Sequence, residues 1–301
     1  MLDSFKTYLL KHEFANTTID SYCKTVKRFL TWCNQVDYDV EMITYTQWLD
    51  YQQLIKSKTN RVGSLLKDRS VGHDIGVIRV FFDFLVFEDL RNLNPIKDKF
   101  YKVDSDFYHD LLSEIELHEL YISYPTLDLN HPKCPSVAIR NKVIIGLVVF
   151  QAINTTTLSK LNVEHIDLGK KKIHIPGTSR SNSRVLKLED VQLIHLRQYL
   201  EHDRAILQTK INCHTEALFP LNTPRFSSIT SDITRKLKTL NLKVTNLKQI
   251  RASVITLWVQ AHDLRRAQIM CGIRYISSIE KYQRTDLDSL EEATLLFHPM
   301  Q

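Results

Sequence analysis

One short island of period-two alternation interrupts a chain whose apolar residues otherwise recur at helical spacing. That combination predicts a mainly α fold with a small antiparallel β-sheet. The helical period is clearest where Ile19, Tyr22, Cys23, Val26, Phe29, Leu30 and Cys33 share one face and Lys24, Lys27 and Arg28 the other. Thr17 followed by Asp20 predicts a capping-box-like start for this helix. Another helix fits Thr46 to Lys56, with Trp48, Leu49 and Leu54 inward, and polar, basic Lys56 to Ser70 follows as a loop. The next runs from Val71 to Asp89, burying Ile75, Ile78, Phe81, Phe82 and Leu85. Asn94-Pro95 ends the run, because proline disfavours a helical residue before it. Residues 1–96 therefore read as a four-helix domain, and the charged, poorly periodic 97–111 as a linker.

The alternation lies in the second domain, 112–301. Ile173 and Ile175 alternate with polar neighbours, as do Leu186 and Leu188, and the turn-like segment Gly177 to Ser183 joins them. That is a β-hairpin. Helices are expected around it at Glu114–Tyr124, Ala138–Ile153, Leu188–Glu201, Ser228–Leu240, Leu247–His262, Asp263–Cys271, Ile276–Tyr282 and Asp288–Leu296.

Composition narrows the chemistry. Only seven of 301 residues are glycine, and neither G-x-G-x-x-G nor G-x-x-x-x-G-K-[ST] occurs, so no nucleotide cofactor is expected. The five cysteines include no C-x-x-C pair, which disfavours a metal site or disulfide framework and favours a reducing cytoplasm. No signal-peptide pattern is read at the N-terminus, and the most apolar run, Val143 to Phe150, is too short to span a bilayer. A formal charge of +6 is modest, but the cations cluster. Lys56, Lys58, Arg61, Lys67 and Arg69 share one stretch with a single acid, Asp68. Lys170, Lys171, Lys172, Arg180, Arg184 and Lys187 occupy the hairpin with no acid between Leu168 and Leu188. A third group includes Arg235, Lys236, Lys238, Lys243, Lys248 and Arg251. Separate basic clusters on two domains suit a phosphate backbone, although each alone also reads as a solvated face.

Ordered motifs connect these features. Thr18-x-x-x-Tyr22-x-x-x-Val26-x-x-Phe29, then Ile78-Arg79-x-Phe81-Phe82-x-Phe84-Leu85 and Asn94-Pro95, resemble the core-binding domain of tyrosine recombinases, the Xer and phage-integrase family. Leu158-x-x-Leu161-x-x-x-x-Ile166-Asp167, the hairpin, Lys248-x-x-Arg251 and Asp263-Leu264-Arg265-x-x-Gln268-x-Met270-x-Gly272 resemble its catalytic domain, with Tyr282 ten residues after Gly272. The resemblance covers nearly all of residues 3–296. It implies a helical SAM-like domain and an α/β catalytic domain that clamp double-stranded DNA, with no cofactor. It further implies a tyrosine that attacks a backbone phosphate to give a 3′-phosphotyrosine, and a C-terminal segment, Leu287 to Phe297, that docks on its own domain or on a neighbouring protomer.

Residue by residue, the resemblance places Tyr282 at the nucleophile, Arg251 at the second arginine and Lys248 at the preceding His-or-Lys position. Tyr275 is a second candidate nucleophile that also reads as a packing residue. Asn154 stands where the family carries its first arginine, and Thr157 stands for the supporting acid. Thr178 stands for the hairpin lysine, with Arg180 two residues on. Ile273 stands for the late His-or-Trp, and Ala252 for the histidine after the second arginine. Loss of one such donor costs roughly 10²–10³ in rate, and losses within one constellation do not add. Three readings follow: a recombinase with atypical catalysis, a recombinase-fold DNA-binding accessory or regulatory protein, and a helical interaction protein without nucleic acid. Lys24, Lys27, Arg28, Lys56, Lys58, Arg61, Lys67, Arg69, Lys171 and Arg184 are the expected DNA contacts.

Overall fold

The computed structural model describes residues 1–60, 63–99, 101, 110–127, 135–178, 181–221 and 226–283. The chain divides into two compact units, Met1–Asp106 and Phe107–Gln301.

The first unit packs four helices, α1 (Leu2–Lys11), α2 (Asn16–Gln35), α3 (Tyr45–Ser57) and α4 (Asp68–Phe87), around an aromatic core. Phe29 of α2 stands 4.8 Å from the Tyr51 ring and meets Phe82 edge-on at 5.7 Å, while Phe5 meets Phe81 edge-on at 5.3 Å. Such offset and edge contacts add about 0.5–1.5 kcal/mol each beyond area burial. Two local expectations change. Helix α2 starts at Asn16 after Ala15, so Thr17 caps nothing. In α3 the buried positions are Trp48, Tyr51 and Ile55, whose spacing keeps them on one face, and Leu54 points outward. Its start is set by Thr44, whose hydroxyl accepts from Gln47 N while Gln47 Oε1 accepts from Thr44 N. Asn94 secures the turn before Pro95 by donating to Arg79 O and Asp83 Oδ1 and accepting from Ile96 N.

The second unit surrounds α6 (Pro135–Val149), which is buried almost all round, with α5 (Glu114–Ser123), α8 (Asp190–Gln198), α9 (Arg204–Ile211), α10 (Phe226–Leu240) and α11 (Leu247–Ala261). A four-residue helix α7 (Thr155–Leu158) follows α6, and α12 (Leu264–Cys271) follows α11. The sheet has three antiparallel strands in the order β1 (Ile166–Asp167), β2 (Lys172–Ile175), β3 (Arg184–Lys187). Ile173 and Ile175 are buried as the alternation requires, and Ile175 lies opposite Arg184. Strand β1 extends the expected hairpin by one strand.

Helix ends differ where backbone geometry leaves no compositional mark. Helix α6 stops at Val149, short of Ile153, because Ala152 adopts a left-handed conformation (φ 49°) with its N–H on Val148 O. That is a left-handed C-cap without the usual glycine. Helix α8 runs on through a π turn, Tyr199–Asp203, into α9, well past the expected end at Glu201. Arg204 donates to the carbonyls of Thr215 and Ala217 and closes the segment that follows. Residues 276–283 form a 3₁₀ turn, Ile276–Ser278, and a separate helical turn from Glu280. The segment Asp288–Leu296 lies outside the described residues. Among those described, no helix is long and apolar enough to cross a membrane.

Candidate functional site

The site is built on the second unit, from the start of α11. Asn246 caps that helix by accepting from Gln249 N at 2.9 Å, which leaves Lys248 exposed in the first turn and Arg251 half-buried one turn on. The i, i+3 spacing puts both cations on one face. Arg251 Nε donates to Ala152 O at 2.8 Å. The left-handed cap that ends α6 therefore presents the carbonyl that orients the guanidinium. Lys248 also borders an open groove with Thr155 of α7 and Thr234, Arg235 and Lys238 of α10.

Asn154 has a local task. Its Oδ1 accepts from Thr157 N at 2.8 Å and caps α7, while Thr157 is buried beneath. A cap of this kind is worth about 1 kcal/mol.

The hairpin tip docks on the turn after α12. Thr178 and Ser181 exchange backbone bonds of 2.8 and 3.3 Å and their hydroxyls meet at 2.9 Å. Asn182 N donates to Gly272 O at 2.9 Å, Ser181 bridges Ile273, and Arg274 Nη2 reaches Thr178 O at 3.4 Å. Thr178, Ile273 and Arg274 thus come together, with Ile273 packed on the core and supplying no donor. Gly272 is the left-handed C-cap of α12 (φ 65°). A Cβ there would lie 2.9 Å from Asn182 O and collide with Arg184 Nη1.

Arg184 departs from the expected surface contact. It is 6% exposed, and neither Nε nor Nη2 has a hydrogen-bond partner among the described residues. Burial and the nearby Arg251 push its pKa down to about 10. Burial likewise pushes the adjacent Cys271 thiol up to about 12, so it stays uncharged at neutral pH. Alternation within β3 explains the inward position: Arg184 shares a face with Leu186, and Val185 points out. That phase was readable from sequence, since Arg184, Leu186 and Leu188 are spaced by two.

Tyr282 is half-buried on the turn beginning at Glu280, donates its N–H to Ile279 O at 2.9 Å and packs against the core. Tyr275 is 67% exposed and does not pack. Arg180 lies outside the described residues. Three of the other hairpin cations are paired: Lys171 Nζ stands 2.8 Å from Asp190, Lys170 3.6 Å from Asp167, and Lys187 4.0 Å from Glu189. These carboxylates flank the acid-free stretch in sequence and reach it across a strand turn or from the start of α8.

In the first unit, Arg28 makes a 3.0 Å ion pair with Asp74 and donates to Thr25, whereas Lys24 and Lys27 are exposed. Lys58 lies over the Tyr51 ring, and burial, then the Arg28 charge, lowers its pKa, with Asp74 opposing. The basic face of α2 and the α3–α4 loop therefore meet at Lys58. Lys56 lies over Tyr101, and Lys67 and Arg69 are exposed around the start of α4. Arg61 lies outside the described residues. Among the described residues, no cluster of His, Cys, Asp and Glu could hold a metal ion.

Residues 2–89 match the family described as Phage integrase, N-terminal SAM-like domain. Over nearly its whole length the chain is similar to the tyrosine recombinase XerC of Anoxybacillus flavithermus, at 25% identity covering 99% of this chain and 97% of the relative. It is also similar to the tyrosine recombinase XerD of Staphylococcus epidermidis, at 23% identity covering 95% and 93%. Among solved structures, the post-cleavage complex of the XerH site-specific recombinase with a palindromic difH substrate shares the fold with a TM-score of 0.71. Identity there is 15%, covering 92% of this chain and 79% of the other. The Tn1549 transposon integrase in complex with a circular intermediate DNA shares it with a TM-score of 0.66, at 11% identity covering 96% and 98%.

Proposed function

We propose that this chain, which belongs to the tyrosine recombinase and phage integrase family, is a DNA-binding site-specific recombinase whose catalysis departs from the family's usual donor set. The observation that carries the reading is Arg251, held by Ala152 O beside Lys248, at the family's second-arginine and His-or-Lys positions. In the proposed step the Tyr282 phenolic oxygen bonds to a backbone phosphorus while the bond from phosphorus to the 5′ oxygen breaks. The phenolic proton is released, the departing 5′ oxygen takes up a proton, and attack by a 5′-hydroxyl reverses the step. Lys248 and Arg251 stabilise the charge gathered on the phosphate oxygens, and Arg180 is the candidate additional cation on the hairpin. We assign Lys24, Lys27, Lys56, Lys58, Lys67 and Arg69, with Arg61, to the DNA backbone, where contacts position more than they read sequence. Residues 287–297 are proposed to mediate self-association or docking on a partner recombinase. A cytoplasmic location follows from the DNA substrate.

A nicked duplex built from the sequence flanking the gene tests the step. Wild-type protein is expected to be trapped as a covalent adduct that Tyr282→Phe abolishes. A second reading, a DNA-binding protein that no longer cleaves, is favoured by Asn154, used as a helix cap, and by Ile273, partly buried against the core. It expects no adduct from either protein and salt-sensitive duplex affinity that Tyr282→Phe leaves unchanged.

A further inference from the structure

Arg184 is a buried cation in need of an anion. Its guanidinium lies inside the second unit, against the backbone at Gly272, and two of its nitrogens have no partner among the described residues. The charged neighbour it senses is another cation, Arg251, and no carboxylate among the described residues pairs with it. The carbonyls at the end of α12 offset little of this, because Gln268 O and Ile269 O already accept from Ile273 N and Gly272 N. A charge left in this condition is unfavourable unless a counter-charge arrives with a ligand. Arg184, lodged against Gly272, and Arg251, anchored through Nε and near enough for its charge to act on Arg184, are suited to an anion with several oxygens.

We propose that Arg184, together with Arg251, forms a phosphate-binding pair in which Arg184 supplies from β3 the guanidinium that Asn154 does not supply from the α6–α7 turn. This rests on the recombinase reading for the identity of the phosphate, a DNA backbone phosphate, but the anion site itself does not. Asn154 is committed to Thr157 N as a helix cap, and Thr157 brings no carboxylate to the buried Arg184. Gly272 has a defined part, since any side chain there would displace the Arg184 guanidinium.

The test uses the full chain and inorganic phosphate, with chloride at matched ionic strength as reference. Phosphate is expected to raise the melting temperature of wild type by mass action. Arg184→Met is expected to melt no lower than wild type in chloride, because it removes an uncompensated buried charge. Its apparent phosphate affinity is expected to fall at least about tenfold. Arg184→Lys, the second variant, keeps the charge without the two-pronged geometry and should fall between them. Adding Asn154→Arg to Arg184→Met should restore the phosphate response. The proposal is overturned if wild type shows no phosphate effect beyond chloride, or if both Arg184 variants respond as wild type does. It is equally overturned if Arg184→Met loses stability in chloride while keeping its phosphate affinity, which is the behaviour of a purely structural arginine. The adduct assay separates the two claims. Absence of a Tyr282 adduct alongside an Arg184-dependent phosphate response defeats the recombinase reading and leaves the anion site standing. A Tyr282 adduct formed at the same rate with and without Arg184 defeats the phosphate pair alone.

Discussion

At the residue scale, small groups decide where charge can reside. Gly272 combines a left-handed backbone with a missing side chain that makes room for Arg184. Gly272→Ala is expected to cost about 2 kcal/mol or more in urea denaturation, since the left-handed conformation alone costs roughly 1–2 kcal/mol for an alanine and overpacking adds to it. Glu116 gives a pH-dependent counterpart. Its carboxylate accepts from Lys243 Nζ at 2.7 Å and from Ser113 N at 2.9 Å, and the Lys243 bond, foremost, holds its pKa down at about 2. The folded value lies below the ordinary 4.5, so the contribution is fully present above that pH and is lost as pH falls toward about 2. Thermal melts of wild type and Glu116→Gln should differ by a constant amount above about pH 5. The gap should close as pH approaches about 2.

At the element scale, buried polar side chains tie the pieces together. Gln151 and Gln192 exchange amide bonds of 3.0 and 3.1 Å, and Gln151 Nε2 also reaches Lys187 O at 2.9 Å. This joins the end of α6 to the start of α8 and to β3, one residue before the carbonyl that holds Arg251. Gln151→Ala strands the buried Gln192 Nε2, while Gln192 Oε1 keeps its bond from Glu189 N, and is expected to cost about 1–3 kcal/mol in denaturant unfolding. The same elements explain what was legible beforehand. Period and proline gave the four helices of the first unit, and alternation gave β2 and β3, because apolar spacing records which face is buried. The end of α6 was not legible, since the left-handed residue is Ala152 and carries no glycine signature. The π turn keeps helical periodicity nearly intact, so nothing marked the passage from α8 to α9. For the proposed site, motif spacing points to Arg251 and Lys248, whereas Arg184 reads by charge type as a surface cation. Its phase with Leu186 and Leu188 already marked the core face; charge type had outweighed position.

At the scale of the whole molecule, two separate hydrophobic cores share the chain, one for each compact unit. Phe81, fully buried among Phe5, Phe29 and Phe84, anchors the first. Phe81→Ala is expected to cost that unit about 3–5 kcal/mol. Calorimetry should show its transition fall while the transition of the second unit stays in place. The surface of the same unit holds both a cation engaged by its own fold and cations exposed to solvent. Arg28 is engaged by Asp74 and Thr25, whereas Lys27, one position away, is exposed. If a DNA backbone lies along the exposed face of α2, Lys27→Ala should lower the slope of log affinity against log salt by about one contact, near 0.9, and leave stability unchanged. Arg28→Ala should instead destabilise the unit by removing the guanidinium partner of Asp74, which keeps only its bond from Thr25 and its nearby His73, with little change in slope. Duplex binding measured across a salt series, beside thermal melts of both variants, decides between these assignments. An unchanged slope for Lys27→Ala would remove α2 from the proposed interface and leave the α3–α4 loop to carry it.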